Sequence, residues 1–155
     1  MFEIKYQILT KDDHDIIDFI AGWYFVEWNI PKQHTIEKVK GFPRNGKHFQ
    51  VIMTLDDIPV ATGGHYYHVG LPDREPKFSI YKNWLALVYT IPDNRKKGLG
   101  ALICNYIQNH VKKLGIKEMY LFTDTAESLY ERLGWYQLER LLLDTGKIVV
   151  MKKIL

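Results

Sequence analysis

The stretch WLALVYTIPDNRKKGLGALICNYIQNHVKKL, residues 84–114, decides the fold. Its first part, residues 84–91, is apolar at nearly every position, which marks a strand covered on both faces rather than one with a wet side. Pro92-Asp93-Asn94 ends that strand. After Arg95-Lys96-Lys97-Gly98-Leu99-Gly100, apolar residues recur in steps of three and four at Leu99, Leu102, Ile103, Tyr106, Ile107, His110, Val111 and Leu114. That spacing lays one stripe along a helix, which buries it on the sheet. The first N–H groups of a helix have no partner within it, and two glycines clear side chains from this turn so that a ligand can reach the backbone. Three consecutive cations, Arg95, Lys96 and Lys97, stand beside those amides, and the positive end of the helix dipole adds to them. A di- or triphosphate is the natural occupant.

Two common phosphate-binding motifs do not fit. A Walker loop needs Lys-Ser or Lys-Thr after its second glycine, whereas Ala101-Leu102 follows Gly100. A dinucleotide fingerprint needs a third small residue where Ile103 stands, and no repeating β-α-β chain surrounds it.

Outward from this stretch, 155 residues predict one domain, 1–155, able to bury a core without staples. Ten Tyr, seven Phe and four Trp argue against disorder. The net charge of +3 suits an anionic ligand but is too weak to imply nucleic-acid binding. The single cysteine, Cys104, excludes an intrachain disulfide, and no ligand pair has the spacing of a zinc site, so no metal is expected. No apolar run is long enough to span a bilayer, and residues 1–5 lack the layout of a signal peptide, so a cytoplasmic home with no membrane partner is the expectation.

Alternation at Phe2, Ile4, Tyr6 and Ile8 predicts a first strand over 2–9 with one buried face. Thr10-Lys11-Asp12-Asp13 reads as a capping box before a helix with Ile16, Ile17, Ile20, Trp23 and Tyr24 on one face, which Glu27 continues. Asn29-Ile30-Pro31 closes it, and Thr35 reads as the cap of a second helix through Ile36, Val39 and Phe42. Residues 49–55 and 58–69 predict a hairpin turned at Asp56-Asp57, with a bulge or a close backbone approach at Gly63-Gly64. Residues 70–76 read as a loop. After the long helix come a strand at 119–122, parallel to the central one by a right-handed crossover, a short helix over 126–133, and strands over 135–140 and 147–152 turned at 144–146. The sum is a mixed sheet with helices on both sides.

Arg95-x-x-Gly98-x-Gly100 after a strand-ending proline is similar to the acetyl-coenzyme A motif of the GNAT family of N-acetyltransferases. A second stretch, Tyr130-Glu131-Arg132-Leu133-Gly134-Trp135, is similar to that family's tyrosine, helical residues, glycine and aromatic; read from the residues, Gly134 is a left-handed helix C-cap. The order of elements resembles GNAT over most of the chain, including two helices after the first strand. The resemblance implies an α/β (α+β) fold whose mixed, mostly antiparallel central sheet carries a splayed parallel pair at the cofactor site. It implies acetyl-coenzyme A as cosubstrate, with the pantetheine arm held by main chain of Val88, Tyr89 and Thr90. The pyrophosphate would lie against Lys96, Lys97, Gly98, Leu99, Gly100 and Ala101, with Arg95 at the motif's first position. Tyr130 would be the general acid toward the departing sulfur. A phenol neutral at pH 7 can donate to a thiolate. Thr90 stands where many members carry Val, and Thr123-Asp124 stands in place of an asparagine often found there.

The acceptor is read as a primary amine, of a small molecule or a peptide, attacked directly in a ternary complex. Cys104, beside the apolar stripe, reads as a small buried hydrophobe rather than an acyl carrier. The base is open among Glu27, His65, His68 and a water chain. Trp23, Tyr24, Trp28, Tyr66 and Tyr67 read either as core or as walls of an acceptor cleft. Homodimerisation is common in the family, with nothing in the sequence specifying an interface. The alternative to an enzyme is a non-catalytic GNAT-like module that binds coenzyme A or a partner.

Overall fold

A computed structural model describes residues 2–155. Strands β1 (Ile4–Ile8), β2 (Phe49–Leu55), β3 (Ile58–Tyr66), β4 (Trp84–Thr90), β5 (Glu118–Thr123), β6 (Tyr136–Leu143) and β7 (Gly146–Ile154) form one sheet in the order β1-β2-β3-β4-β5-β7-β6. Every neighbouring pair is antiparallel except β4 and β5. The helices are α1 (His14–Trp28), α2 (Lys32–Lys40), α3 (Leu71–Arg74), α4 (Leu99–Lys113) and α5 (Glu127–Arg132). Among the described residues no helix is long and apolar enough to cross a membrane.

α4 and α5 cover one face, where Ile103, Ile107, Val111 and Tyr130 join Val51, Met53, Leu85, Leu121 and Met151. α1 and α2 cover the other through Ile17, Ile20, Tyr24 and Val39 on Ile52 and Tyr89. A fully buried aliphatic side chain contributes about 1.5–3 kcal/mol, so the α4 stripe alone anchors the helix. The stripe is rotated slightly from the expected one. Cys104 and Gln108 are buried while Leu102 is turned outward. Gln108 is tolerated there because its Oε1 accepts the indole N–H of Trp135 at 2.8 Å.

The expected strands and the hairpin turn form; Asp56 and Asp57 both adopt the left-handed conformation that a two-residue turn demands. Four expectations are corrected. β1 is the sheet edge, so Phe2 and Ile4 stay exposed and only Tyr6 and Ile8 reach the core, Tyr6 by stacking on Tyr106 at 4.3 Å. The Asp13 carboxylate does turn back to Thr10, accepting its N–H at 2.7 Å, but the helix starts only at His14. Thr35 is a buried residue within α2, which Pro31 opens, since left-handed Asn29 and the fixed φ of proline already redirect the chain. Residues 70–76 are not a bare loop: α3 and a 3-10 turn over Pro76–Ile80 bury Leu71 and Phe78 against Trp84 and Tyr120.

Two features shape the centre. β4 and β5 share a single register pair, Trp84 with Tyr120, tied by the Tyr120 N–H to the Asn83 carbonyl at 2.9 Å. Beyond it the two strands part. The second is a bulge: between Thr62↔Tyr89 and Gly64↔Ala86, β4 spends one residue more than β3, and Leu87 takes φ +53. The glycine pair marked this irregularity from the opposite strand. A Cβ on Gly63 would stand 3.1 Å from Ile107 and 3.3 Å from Val88, so glycine lets the bulge and α4 close on β3.

Candidate active site

The opening between β4 and β5 leads to the 95–101 segment. There Lys96 has φ +63 and Gly98, the N-cap of α4, has φ +81; no side chain caps the helix, so its first N–H groups are left to a ligand. The space above them is clear. A Cβ on Gly98 would meet nothing within 4 Å, and one on Gly100 only Leu129 of α5 at 3.9 Å, which also shows how closely the two sequence motifs approach each other. Lys96 and Lys97 are exposed and form no ion pair among the described residues. An amide-lined, cationic, uncapped turn fits a pyrophosphate.

Arg95 is placed differently from its neighbours. Its Nε donates to the Thr90 carbonyl at 2.8 Å, Nη2 reaches Glu27 Oε2 at 3.2 Å, and the guanidinium lies 5.3 Å from the centre of the Tyr89 ring. Its charge therefore ties the end of β4 to α1. Lys96, Lys97 and the dipole add positive charge over the helix start.

On β4 the ladder fixes which amides face the opening. The Ile91 N–H is spent on Val60 of β3 at 2.9 Å. By the alternation of a strand, Tyr89 faces β3 as well, whereas Val88 and Thr90 turn toward the side where β5 has departed. Of the three main-chain candidates, two thus present N–H groups to the opening. Tyr89 instead places its ring under α1, stacked on Trp23 at 5.6 Å and edge-on to Trp28 at 6.0 Å.

Tyr130 is buried, edge-on to Trp135 at 6.2 Å, with its hydroxyl beside the thiol of Cys104. Burial first, then that neighbour, push the phenol well above its ordinary range, so it stays protonated. Burial likewise pushes the Cys104 thiol up to about 12, as expected of an inert core cysteine. Gly134 takes φ +93, and the chain folds back so that the Trp135 N–H reaches the Tyr130 carbonyl at 3.0 Å, which locks the tyrosine to the start of β6. Thr123, at the position where an asparagine is often found, accepts the Ala126 N–H at 3.1 Å and so shapes the turn into α5.

The proposed bases separate. Glu27, at the end of α1, stands where β4 opens. His65 is opposite Leu85 and His68 follows β3, both near the start of β4, on the order of 20 Å from Thr90 at a strand's rise per residue. His68 engages Asp73 at 3.2 Å. His65 is fully buried: its Nδ1 donates to the Lys47 carbonyl at 2.5 Å, its ring stacks on His48, and its Nε2 has no hydrogen-bond partner among the described residues. Burial pulls its pKa down to about 4. Below about pH 6.5 the unfolded chain takes up a proton that the native ring refuses until about pH 4, so stability falls across that window. Between pH 7.5 and 5 this one group costs about 2 kcal/mol. Urea titrations at both pH values check it: His65→Gln loses less stability on acidification than the parent by that amount, and equal losses would refute the assignment.

The five aromatics do not form one wall. Tyr24 and Tyr66 are fully buried in hydrogen bonds, and Tyr67 packs on His48 at the far end. Trp23 and Trp28 gather instead around the Tyr89 ring of β4.

Comparison with known proteins agrees with this geometry. A family model described as an acetyltransferase (GNAT) domain matches residues 52–137, more than half of the chain. The chain belongs to the GNAT family of acetyltransferases, whose cosubstrate is acetyl-coenzyme A. Similar solved structures include an aminoglycoside 6′-N-acetyltransferase complexed with coenzyme A (TM-score 0.76, 16% identity, covering 97% of this chain and 96% of that one). A spermidine N-acetyltransferase from Vibrio cholerae aligns with TM-score 0.72 at 12% identity over 97% and 93% of the two chains. A ribosomal-protein alanine N-acetyltransferase from Escherichia coli aligns with TM-score 0.65 at 15% identity over 99% and 94%. At these identities the likeness is one of fold. No curated protein matches the chain by sequence.

Proposed function

We propose that this chain, acting as one domain, moves an acetyl group from acetyl-coenzyme A to a primary amine by direct attack in a ternary complex. The observation that carries the reading is the parting of β4 from β5 beside an uncapped helix start. Acetyl-coenzyme A supplies the activated acyl group as a thioester. Main-chain N–H groups of residues 96–101 bind its pyrophosphate, and Arg95 acts through the end of β4 rather than by direct contact. Thr90 offers its N–H group to the arm, and Val88 offers its own to the oxyanion of the tetrahedral intermediate. Tyr130 donates the proton that the leaving sulfur needs.

The amine must lose a proton before attack. Glu27 or a water chain passing it takes that proton, because His65 and His68 lie at the other end of β4. Trp23 and Trp28 flank the acceptor. The similar structures named for amine substrates, an aminoglycoside, spermidine and a ribosomal-protein alanine, support an amine as acceptor without selecting one.

Incubation with acetyl-coenzyme A and a panel of primary amines tests the reading by thiol release. Release that depends on an added amine, with no acetylated protein in its absence, is the expected result. Uptake of coenzyme A without release for any amine would make the chain a binding module instead.

A further inference from the structure

Leu87 is an L-residue at φ +53, a conformation that persists only where its surroundings hold it. What holds it comes from α1. The Tyr24 hydroxyl lies 2.6 Å from the Leu87 carbonyl oxygen, on the face of the sheet away from α4 and α5. The peptide is trans, as no cis bond occurs among the described residues, so its N–H points opposite to its C=O. That N–H belongs to Val88. Fixing the Leu87 carbonyl toward α1 therefore fixes the Val88 N–H away from α1, toward the face that α4 and α5 cover.

The hydroxyl has no freedom to turn away. The carbonyls of Leu87 and Val51 can only accept, so Tyr24 donates to the first and Thr62 to the second, at 2.6 and 2.7 Å. Both hydroxyl oxygens then accept from the two amide hydrogens of Gln50, at 2.9 and 2.8 Å. The Gln50 carbonyl accepts the Tyr66 hydroxyl at 2.5 Å. Tyr24, Gln50 and Thr62 are fully buried, and each polar hydrogen in the chain of bonds has one place to go.

We propose that Tyr24 is a positioning residue for acyl transfer: through the Leu87 carbonyl it aims the Val88 N–H at the oxygen of the acyl group and polarises that peptide as the oxyanion forms. The proposal rests on the acetyl-coenzyme A reading above. It concerns the thioester carbonyl alone, so coenzyme A, which has none, is indifferent to it.

Tyr24→Phe tests it, with Tyr66→Phe as the matched control. Each removes one phenol oxygen from the same network, but only the first touches Leu87. Tyr24→Phe should lower kcat about 10- to 100-fold with KM for acetyl-coenzyme A within about threefold. By calorimetry it should leave the Kd for coenzyme A unchanged and weaken that for acetyl-coenzyme A. Tyr66→Phe should lose comparable thermal stability yet keep kcat within about threefold. Unchanged kcat in Tyr24→Phe, or equal falls in both variants, would overturn the proposal while the cofactor reading survives. Failure of the parent protein to take up coenzyme A would overturn both. A second measurement on the parent covers the case of a variant that does not fold: the Val88 amide resonance should move downfield with acetyl-coenzyme A but not with coenzyme A, and an unmoved resonance overturns the proposal.

Discussion

Tyr130→Phe is expected to cut kcat by about 100-fold while leaving the Kd for coenzyme A unchanged. The substitution removes one oxygen and keeps the ring that packs on Trp135 and the α4 core, so the fold has little reason to respond. On the proposed reading, cofactor uptake draws on main chain of residues 88–101, which the substitution does not touch. What is lost is the proposed proton donor, held protonated by its burial between α5 and Cys104 of α4. The same burial predicts that turnover in the parent shows no alkaline decline from Tyr130 up to about pH 10. Single-turnover and steady-state kinetics with an acceptor amine check the first part. Unaltered kcat in the variant would remove this residue from the mechanism.

The second large effect concerns Gly98. Gly98→Val should raise the Kd for coenzyme A at least about tenfold, measured by calorimetry, with a smaller change in melting temperature. The effect is conformational rather than steric, since an added Cβ meets nothing within 4 Å. At φ +81 a β-branched residue is an outlier costing about 1–3 kcal/mol. The free segment relieves that strain by turning its N–H groups away from the phosphates, and binding must then restore it. About 1.4 kcal/mol is a factor of ten in affinity, so that restoration reaches the expected change. Undiminished affinity would show that the 95–101 segment does not hold the cofactor.

The parts of the molecule legible from sequence were those governed by local chemistry. The strand, uncapped turn and helix of residues 84–113 follow from apolar run, glycines and period. Gly134 announces its left-handed cap, and Asp56-Asp57 its turn. Failures begin where distant residues decide. Nothing in Leu87 signals a positive φ, because the groups that meet this bulge, Tyr24 of α1 and Gly63 of β3, lie far from it in sequence; the glycine pair points to the place but on the neighbouring strand. The prolines of residues 70–76 suggested a loop, whereas the packing of Leu71 and Phe78 on Trp84 makes them ordered cover. Arg95 reads with the phosphate-binding stretch from its neighbours in sequence, and no local rule reveals that its guanidinium also meets Glu27, 68 residues away, and the Thr90 carbonyl. Gln50, a lone amide in an apolar strand, could have hinted at a buried network, but its partners lie on three other elements.

The single register pair between β4 and β5 has a mechanical meaning. Strands β1 to β4 and strands β5 to β7 behave as two leaves stitched at one end, with α4 laid across the fold line. Elsewhere a protein of this size closes its sheet with its own backbone. On the proposed reading the pantetheine arm supplies the missing hydrogen bonds along that edge, so the groups that recognise the cofactor also complete the sheet.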